Sequence, residues 1–172
     1  MELWDVYDAD RRLTGRTAVR GEKLGNDDYH LVVHVCIFGS DGRMLIQQRQ
    51  SCKRSYPDYW DISCGGCAIS GETSQQAAER ELFEELGIRL ELTHARPHLT
   101  VNFDHGFDDF YLVIRDVELS SLRLQPEEVQ TVRWADRDEI FAMLGDGSFI
   151  PFFRSMIDLL FDVRSKPDCL DL

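Results

Sequence analysis

Glu81, Glu84 and Glu85 are the residues of this chain best spaced to do chemistry together. At about 100° per residue, carboxylates at i, i+3 and i+4 of a helix fall within one quadrant. Carboxylates so crowded repel and raise one another's pKa unless a cation comes between them. Hard oxygen donors in that arrangement suit Mg²⁺ or Mn²⁺ rather than a soft metal. The helix that must carry them is legible around them. Ala78, Leu82 and Leu86 repeat at i, i+4 and i+8, a core face beside the acidic one. Gly87 follows at the C′ position, which tolerates a left-handed backbone. The pattern predicts a helix from about Ser74 to Leu86.

The wider stretch from Gly66 to Ile88, GCAISGETSQQAAERELFEELGI, fits G-x5-E-x7-R-E-U-x-E-E-x-G-U, with U apolar. The fixed positions are Gly66, Glu72, Arg80, Glu81, Leu82, Glu84, Glu85, Gly87 and Ile88. At average residue usage, a chance match in a chain of this length is on the order of 10⁻⁷. The stretch resembles the Nudix box, and the chain resembles the Nudix hydrolase family.

That resemblance implies an α/β fold, an α/β/α sandwich with a mixed central sheet. It also implies hydrolysis of a diphosphate bond in a nucleoside or other organic diphosphate, by attack of water at phosphorus with divalent ions bridging enzyme and substrate. Such substitutions depend mostly on metals that neutralise phosphate oxygens and orient water. Glu81 and Glu85, one helical turn apart, are expected to hold the principal Mg²⁺ or Mn²⁺, with Glu84 as a second ligand or acting through water. By resemblance, a backbone carbonyl near Gly65 or Gly66 also ligates. Arg80 is expected to orient the glutamates, and Glu72 to support the loop, pairing with Arg80. The general base varies within the family. Glu128, six residues before Trp134, is one candidate, Glu127 lies beside it, and Glu81 or Glu84 are alternatives.

A substrate of this kind is anionic, and the best basic patch is Arg49, Lys53 and Arg54, around the Pro57-containing loop SCKRSYPDYW. These residues are expected to contact phosphate, with solubility the alternative for Lys53 and Arg54. Trp60 either walls the pocket or, as is commoner for a tryptophan so placed, packs in the core. His30 and His34 fall on an apolar strand pattern, where a satisfied polar group is the expectation.

The whole chain bounds these readings. At 172 residues with 43% hydrophobic content, one domain with a real core is expected. No segment approaches the roughly 18 apolar residues of a membrane span, and the acidic start MELWDVYDAD lacks a signal-peptide pattern. A cytoplasmic monomer or homodimer is expected. The net charge of −12 argues against nucleic acid or anionic membrane as partners. Five cysteines, an odd number, argue against a disulfide framework. Cys64-Gly-Gly-Cys67 has no second C-x-x-C to complete a zinc site. Reduced thiols are expected.

Elements follow from periodicity and turn residues. Leu3–Tyr7 and Thr14–Arg20 read as a hairpin, and Gly21–Asp28 as a linker, so that 1–29 form an extension to a domain spanning 30–172. His30–Phe38 reads as a strand buried on both faces, Met44–Gln50 as its partner, and Asp61–Cys64 as a short strand. Ile88–Thr93 and Pro97–Phe103 read as extended, Asp104–Asp109 as a loop, and Phe110–Val117 and Val129–Trp134 as strands. Asp136 with Glu139 makes a capping-box start for a helix ending near Leu144. Pro151 suits the first turn of a last helix reaching about Val163, after which the tail is expected to fray.

One alternative shares the fold. The segment from His30 to Gly66 also resembles isopentenyl diphosphate isomerases, whose motif runs roughly W-T-N-S-x-C-x-H-P. Here Trp60-Asp61-Ile62-Ser63-Cys64-Gly65-Gly66-Cys67 places Gly65 where the isomerase has its catalytic cysteine, and Cys67 where it has a metal-binding histidine. A catalytically silent Nudix-like module is a third possibility, disfavoured because none of the box glutamates is eroded.

Overall fold

The computed structural model describes residues 2–165. The frayed tail expected after Val163 lies mostly outside them. The central strand β3 (His30–Phe38) explains the layering. Leu31, Val33, Val35 and Ile37 point to one side of the sheet and join a core with Ala77, Ala78, Leu82 and Leu86 of helix α1 (Ser74–Leu86). Cys36 and Phe38 point to the other side. There they pack with Ile140 and Met143 of α2 (Arg137–Asp146) and with Ile157, Leu160 and Phe161 of α3 (Arg154–Val163). Two cores on opposite faces of one sheet make the α/β/α sandwich, and a strand between them can alternate without a polar face.

The hairpin β1 (Leu3–Tyr7) and β2 (Leu13–Val19) forms a separate antiparallel pair. The seven-stranded sheet is mixed. β3 runs parallel to β8 (Gly106–Ile114) over nine residue pairs and antiparallel to β4 (Met44–Arg49) and β6 (Cys64–Cys67). β4 also pairs with β5 (Trp60–Asp61) and β9 (Val129–Ala135), and β7 (Leu99–Phe103) pairs with β8. Helix α1 begins where Thr73 and Gln76 form a capping box, and ends at Gly87 with φ 73°. Asp136 and Glu139 form the second capping box, as the spacing predicts.

Ile88–Thr93 joins no sheet and drops Ile88 and Leu92 into the core beside α1. Three expectations need correction. The loop 104–109 shrinks to a tight turn, because β8 starts at Gly106. An added Cβ there would lie 2.5 Å from the His30 carbonyl oxygen, so only glycine permits the close pairing. Asp61–Cys64 is not one strand but falls across two, β5 and β6, and β6 runs on through Gly65 and Gly66. The last helix starts at Arg154, leaving Pro151 before it. No helix among the described residues is long and apolar enough to cross a membrane.

Candidate active site

The expected carboxylates meet at a cavity of about 240 Å³ between α1, β6 and the segments 49–53 and 125–128. Glu81 rests against Gly66: a Cβ added at Gly66 would fall 2.2 Å from the Glu81 carboxyl carbon. Glycine at this point of β6 is therefore a condition for the carboxylate's position. Glu85 is almost fully buried, 6% exposed, on the same helix face. Gln47 of β4 donates to its Oε2 at 2.9 Å, while the Gln47 Oε1 beside it is buried and unpartnered. Burial pushes the Glu85 carboxyl up to about 7, the Gln47 hydrogen bond opposing and the nearby Glu81 charge adding to the rise. Burial also raises Glu81, against the pull of Arg80. Glu84 stays half exposed at the rim.

Arg80 ties these groups together. Its Nε and Nη2 donate to the two carboxylate oxygens of Glu72 at 2.7 and 3.0 Å. Nη2 also donates to the Cys67 carbonyl at 3.0 Å. Nη1 lies 3.0 Å from Glu81 and 3.1 Å from Glu84. Glu72 Oε2 accepts from Ile69 N at 3.0 Å, so the loop before the helix is braced from the helix itself.

Arg49 and Lys53 line the same cavity. Lys53 pairs with Glu128, which brings two expected residues together. Arg49 reaches the Ser55 carbonyl at 3.2 and 3.3 Å and Asp61 at 3.4 Å. Arg54 and Trp60 are not among the lining residues. Trp60 packs against the α2–α3 core, with the Arg133 guanidinium 5.2 Å above its ring. His30 stacks on Trp4 at 4.2 Å, and His34 Nε2 lies 3.2 Å from Asp108, but Nδ1 of each is buried without a partner. The histidines are only partly satisfied. Cys36, Cys52, Cys64 and Cys67 are free thiols, and burial pushes Cys67 up to about 11, far from the thiolate that redox exchange requires.

Three lining residues, Glu2, Arg20 and Gln125, lie outside the sequence expectations, as does Gln47, which does not line the cavity but donates to Glu85. Gln47 carried a signal, a buried amide inside the apolar run MLIQQR. Gln125, whose N–H donates to the Glu85 carbonyl at 2.9 Å, carried none. A larger cavity, about 330 Å³, opens beside Arg11, Ser74 and Asp109. Its polar groups are mutually satisfied: Ser74 and Thr100 donate to Asp109 at 2.5 and 2.6 Å, and Tyr111 donates to Ser74 at 2.8 Å. It clamps the hairpin rather than presenting free groups.

Among the described residues no three His, Cys, Asp or Glu side chains are close enough to enclose an ion by themselves. Mg²⁺ does not require that: it keeps several waters and takes one or two protein carboxylates plus substrate phosphates. Glu81 and Glu85, two under-neutralised carboxylates at a polar cavity with an unpaired amide oxygen behind them, fit such a site. A divalent charge there would relieve the cost of ionising Glu85.

The family model of the NUDIX domain matches residues 28–154. An uncharacterized Nudix hydrolase of Listeria monocytogenes is 48% identical over 165 residues, covering 96% of each chain. An isopentenyl-diphosphate Delta-isomerase of Nocardia farcinica is 26% identical over 164 residues, covering 90% of this chain and 92% of its own. Among solved structures, DR0079 from Deinococcus radiodurans superposes with a TM-score of 0.73 at 21% identity, over 92% of this chain and 97% of that one. That likeness speaks to the fold.

Proposed function

The chain belongs to the Nudix hydrolase family, and we propose that it hydrolyses a diphosphate bond in a nucleoside or other organic diphosphate, using Mg²⁺ or Mn²⁺. The observation that carries this reading is that Glu81 and Glu85 line one polar cavity together with Arg49 and Lys53. Nudix enzymes generally use divalent ions. When bound, the ion would supply charge neutralisation on the phosphate oxygens and an acidified water.

Glu81 and Glu85 would hold the ion, with Glu84 at the rim taking a second ion or an ordered water, and the Gly66 carbonyl as a backbone ligand. Arg80 positions rather than reacts, because Glu72, Glu81 and Glu84 already occupy its guanidinium. Arg49 and Lys53 would receive the phosphates, Lys53 by exchanging its Glu128 partner. Released in that exchange, Glu128 becomes a carboxylate at the cavity wall able to take the proton of the attacking water. Arg54 and Trp60, which do not line the cavity, take no part in this scheme. The protein is read as cytoplasmic, taking a small-molecule substrate.

The test is a phosphate-release screen across organic diphosphates, with and without Mg²⁺. One preferred substrate class with metal-dependent turnover supports the reading, and no turnover with any diphosphate overturns it. The isomerase relative motivates one alternative, conversion of isopentenyl to dimethylallyl diphosphate without phosphate release. Gly65 speaks against it: a Cβ there would meet His34 Nδ1 at 2.4 Å, so this backbone has no room for the isomerase cysteine.

A further inference from the structure

The cavity that contains Glu81 and Glu85 is closed on one side by the N-terminal hairpin, which precedes the segment matched by the family model. Glu2 and Arg20 flank the Leu3–Val19 pair at the hairpin's open end, and both line the cavity. Arg20 N donates to the Glu2 carbonyl at 3.0 Å, and Arg20 Nη1 to Glu2 Oε2 at 2.6 Å. The hairpin is fastened to the loop that precedes α1. Ser70 N donates to the Leu3 carbonyl at 2.7 Å, and Asp5 accepts from Ser70 Oγ at 2.7 Å and Gly71 N at 2.8 Å. These bonds fix where Arg20 stands relative to Glu81.

Arg20 is also the most exposed of the cations that line the cavity. Arg80 is held by three carboxylates and a carbonyl, Lys53 by Glu128, and Arg49 by Asp61 and the Ser55 carbonyl. Arg20 has one carboxylate partner, and the pair is open to water, with 48% of the Arg20 side chain and 32% of that of Glu2 exposed. Exposed pairs of this kind are weak and exchange readily. A guanidinium fork matches two phosphate oxygens better than it matches the single contact it makes here. Among the described residues no apolar side chain lines the cavity, which suits it to the charged diphosphate, the substituent lying beyond.

We propose that Arg20 is a substrate-binding residue of this enzyme, leaving Glu2 to take phosphate oxygens of the diphosphate, with Glu2 holding it in place when the cavity is free of substrate. This rests on the diphosphatase reading. The hairpin thereby becomes part of the active site, and substrates must bring a second ionised phosphate to gain from it.

Binding of imidodiphosphate, a non-hydrolysable diphosphate probe, in the presence of Mg²⁺ tests this by calorimetry on the full chain. Arg20→Ala should bind it roughly tenfold to a hundredfold more weakly, the loss expected for a charged hydrogen-bonding pair. Arg20→Lys should bind within a few-fold of the parent. Glu2→Gln should bind more tightly, since Arg20 is released and a negative charge leaves the cavity. Unchanged binding in Arg20→Ala overturns the inference. Equal weakening in all three variants, accompanied by lower melting temperatures, also overturns it, because the pair would then only brace the hairpin. Failure of the unsubstituted protein to bind the probe or hydrolyse any diphosphate overturns the parent reading instead.

Discussion

Gln47 on β4 donates to the buried Oε2 of Glu85 on α1 at 2.9 Å, across the boundary between sheet and helix. The bond holds the carboxylate in place and favours its ionised form against the burial that raises it. Gln47→Leu should lower stability by about 1–3 kcal/mol, toward the low end because the unpartnered Gln47 Oε1 disappears with it. It should also raise the Mg²⁺ concentration required for half-maximal turnover. Thermal melting and a metal titration of activity check both effects.

Arg80 holds Glu72, Glu81 and the Cys67 carbonyl at once. Arg80→Ala strands two poorly exposed carboxylates and should cost about 3–5 kcal/mol. Arg80→Lys keeps the charge but not the fork, so it should retain more stability than Arg80→Ala while still lowering kcat. A lysine variant indistinguishable from the parent in kcat would remove Arg80's positioning role.

In the absence of divalent ions, two groups should set the pH dependence of stability in opposite senses. Burial pushes the His30 imidazole down to about 4 from 6.5, the neighbouring His105 adding to the drop. The unfolded chain therefore binds more protons between those values, and His30's contribution, present above pH 6.5, is lost as pH falls toward 4. Glu85 is raised from 4.5 to about 7, so its contribution is full below 4.5 and lost as pH rises through 7. Melting temperatures measured against pH in EDTA should flatten on the acid side in His30→Phe and between 4.5 and 7 in Glu85→Gln.

Gly65 is confined by His34, whose Nδ1 would meet an added Cβ at 2.4 Å. Gly65→Ala should destabilise by about 1–3 kcal/mol. Adding His34→Ala to it should recover part of that loss, a coupling that a double-mutant cycle in thermal unfolding measures. Additive losses would mean that the two side chains do not compete for one space.

Thr73→Ala, which removes the capping box of α1, should lower stability by about 1 kcal/mol with kcat unchanged, as kinetics beside a melting curve would record.

Helix α1 was legible residue by residue because its apolar line, its acidic quadrant and Gly87 are all local signals. The strands buried on both faces were legible for the same reason. What was missed depends on contacts distant in sequence. Gly65 and Gly66 pair in β6 with His34 and Val33, and an added Cβ would meet the His34 ring at Gly65 and the Glu81 carboxyl from α1 at Gly66, both contacts that nothing local announces. Arg20 lies 61 residues before Glu81 by their numbers, on a hairpin whose docking rests on Asp5 and Ser70, and nothing local places it at the cavity. Trp60, by contrast, takes the core alternative that its residue type favours, packing toward α2 and α3.

The central claim is that Glu85, held by Gln47 and buried beside Glu81, serves a divalent ion in diphosphate hydrolysis. Glu85→Gln keeps the shape and removes the charge. Measured on the preferred substrate at saturating Mg²⁺, it should lose turnover on the order of 100-fold or more, with a folded melting transition retained. Turnover equal to that of the unsubstituted protein would contradict the claim.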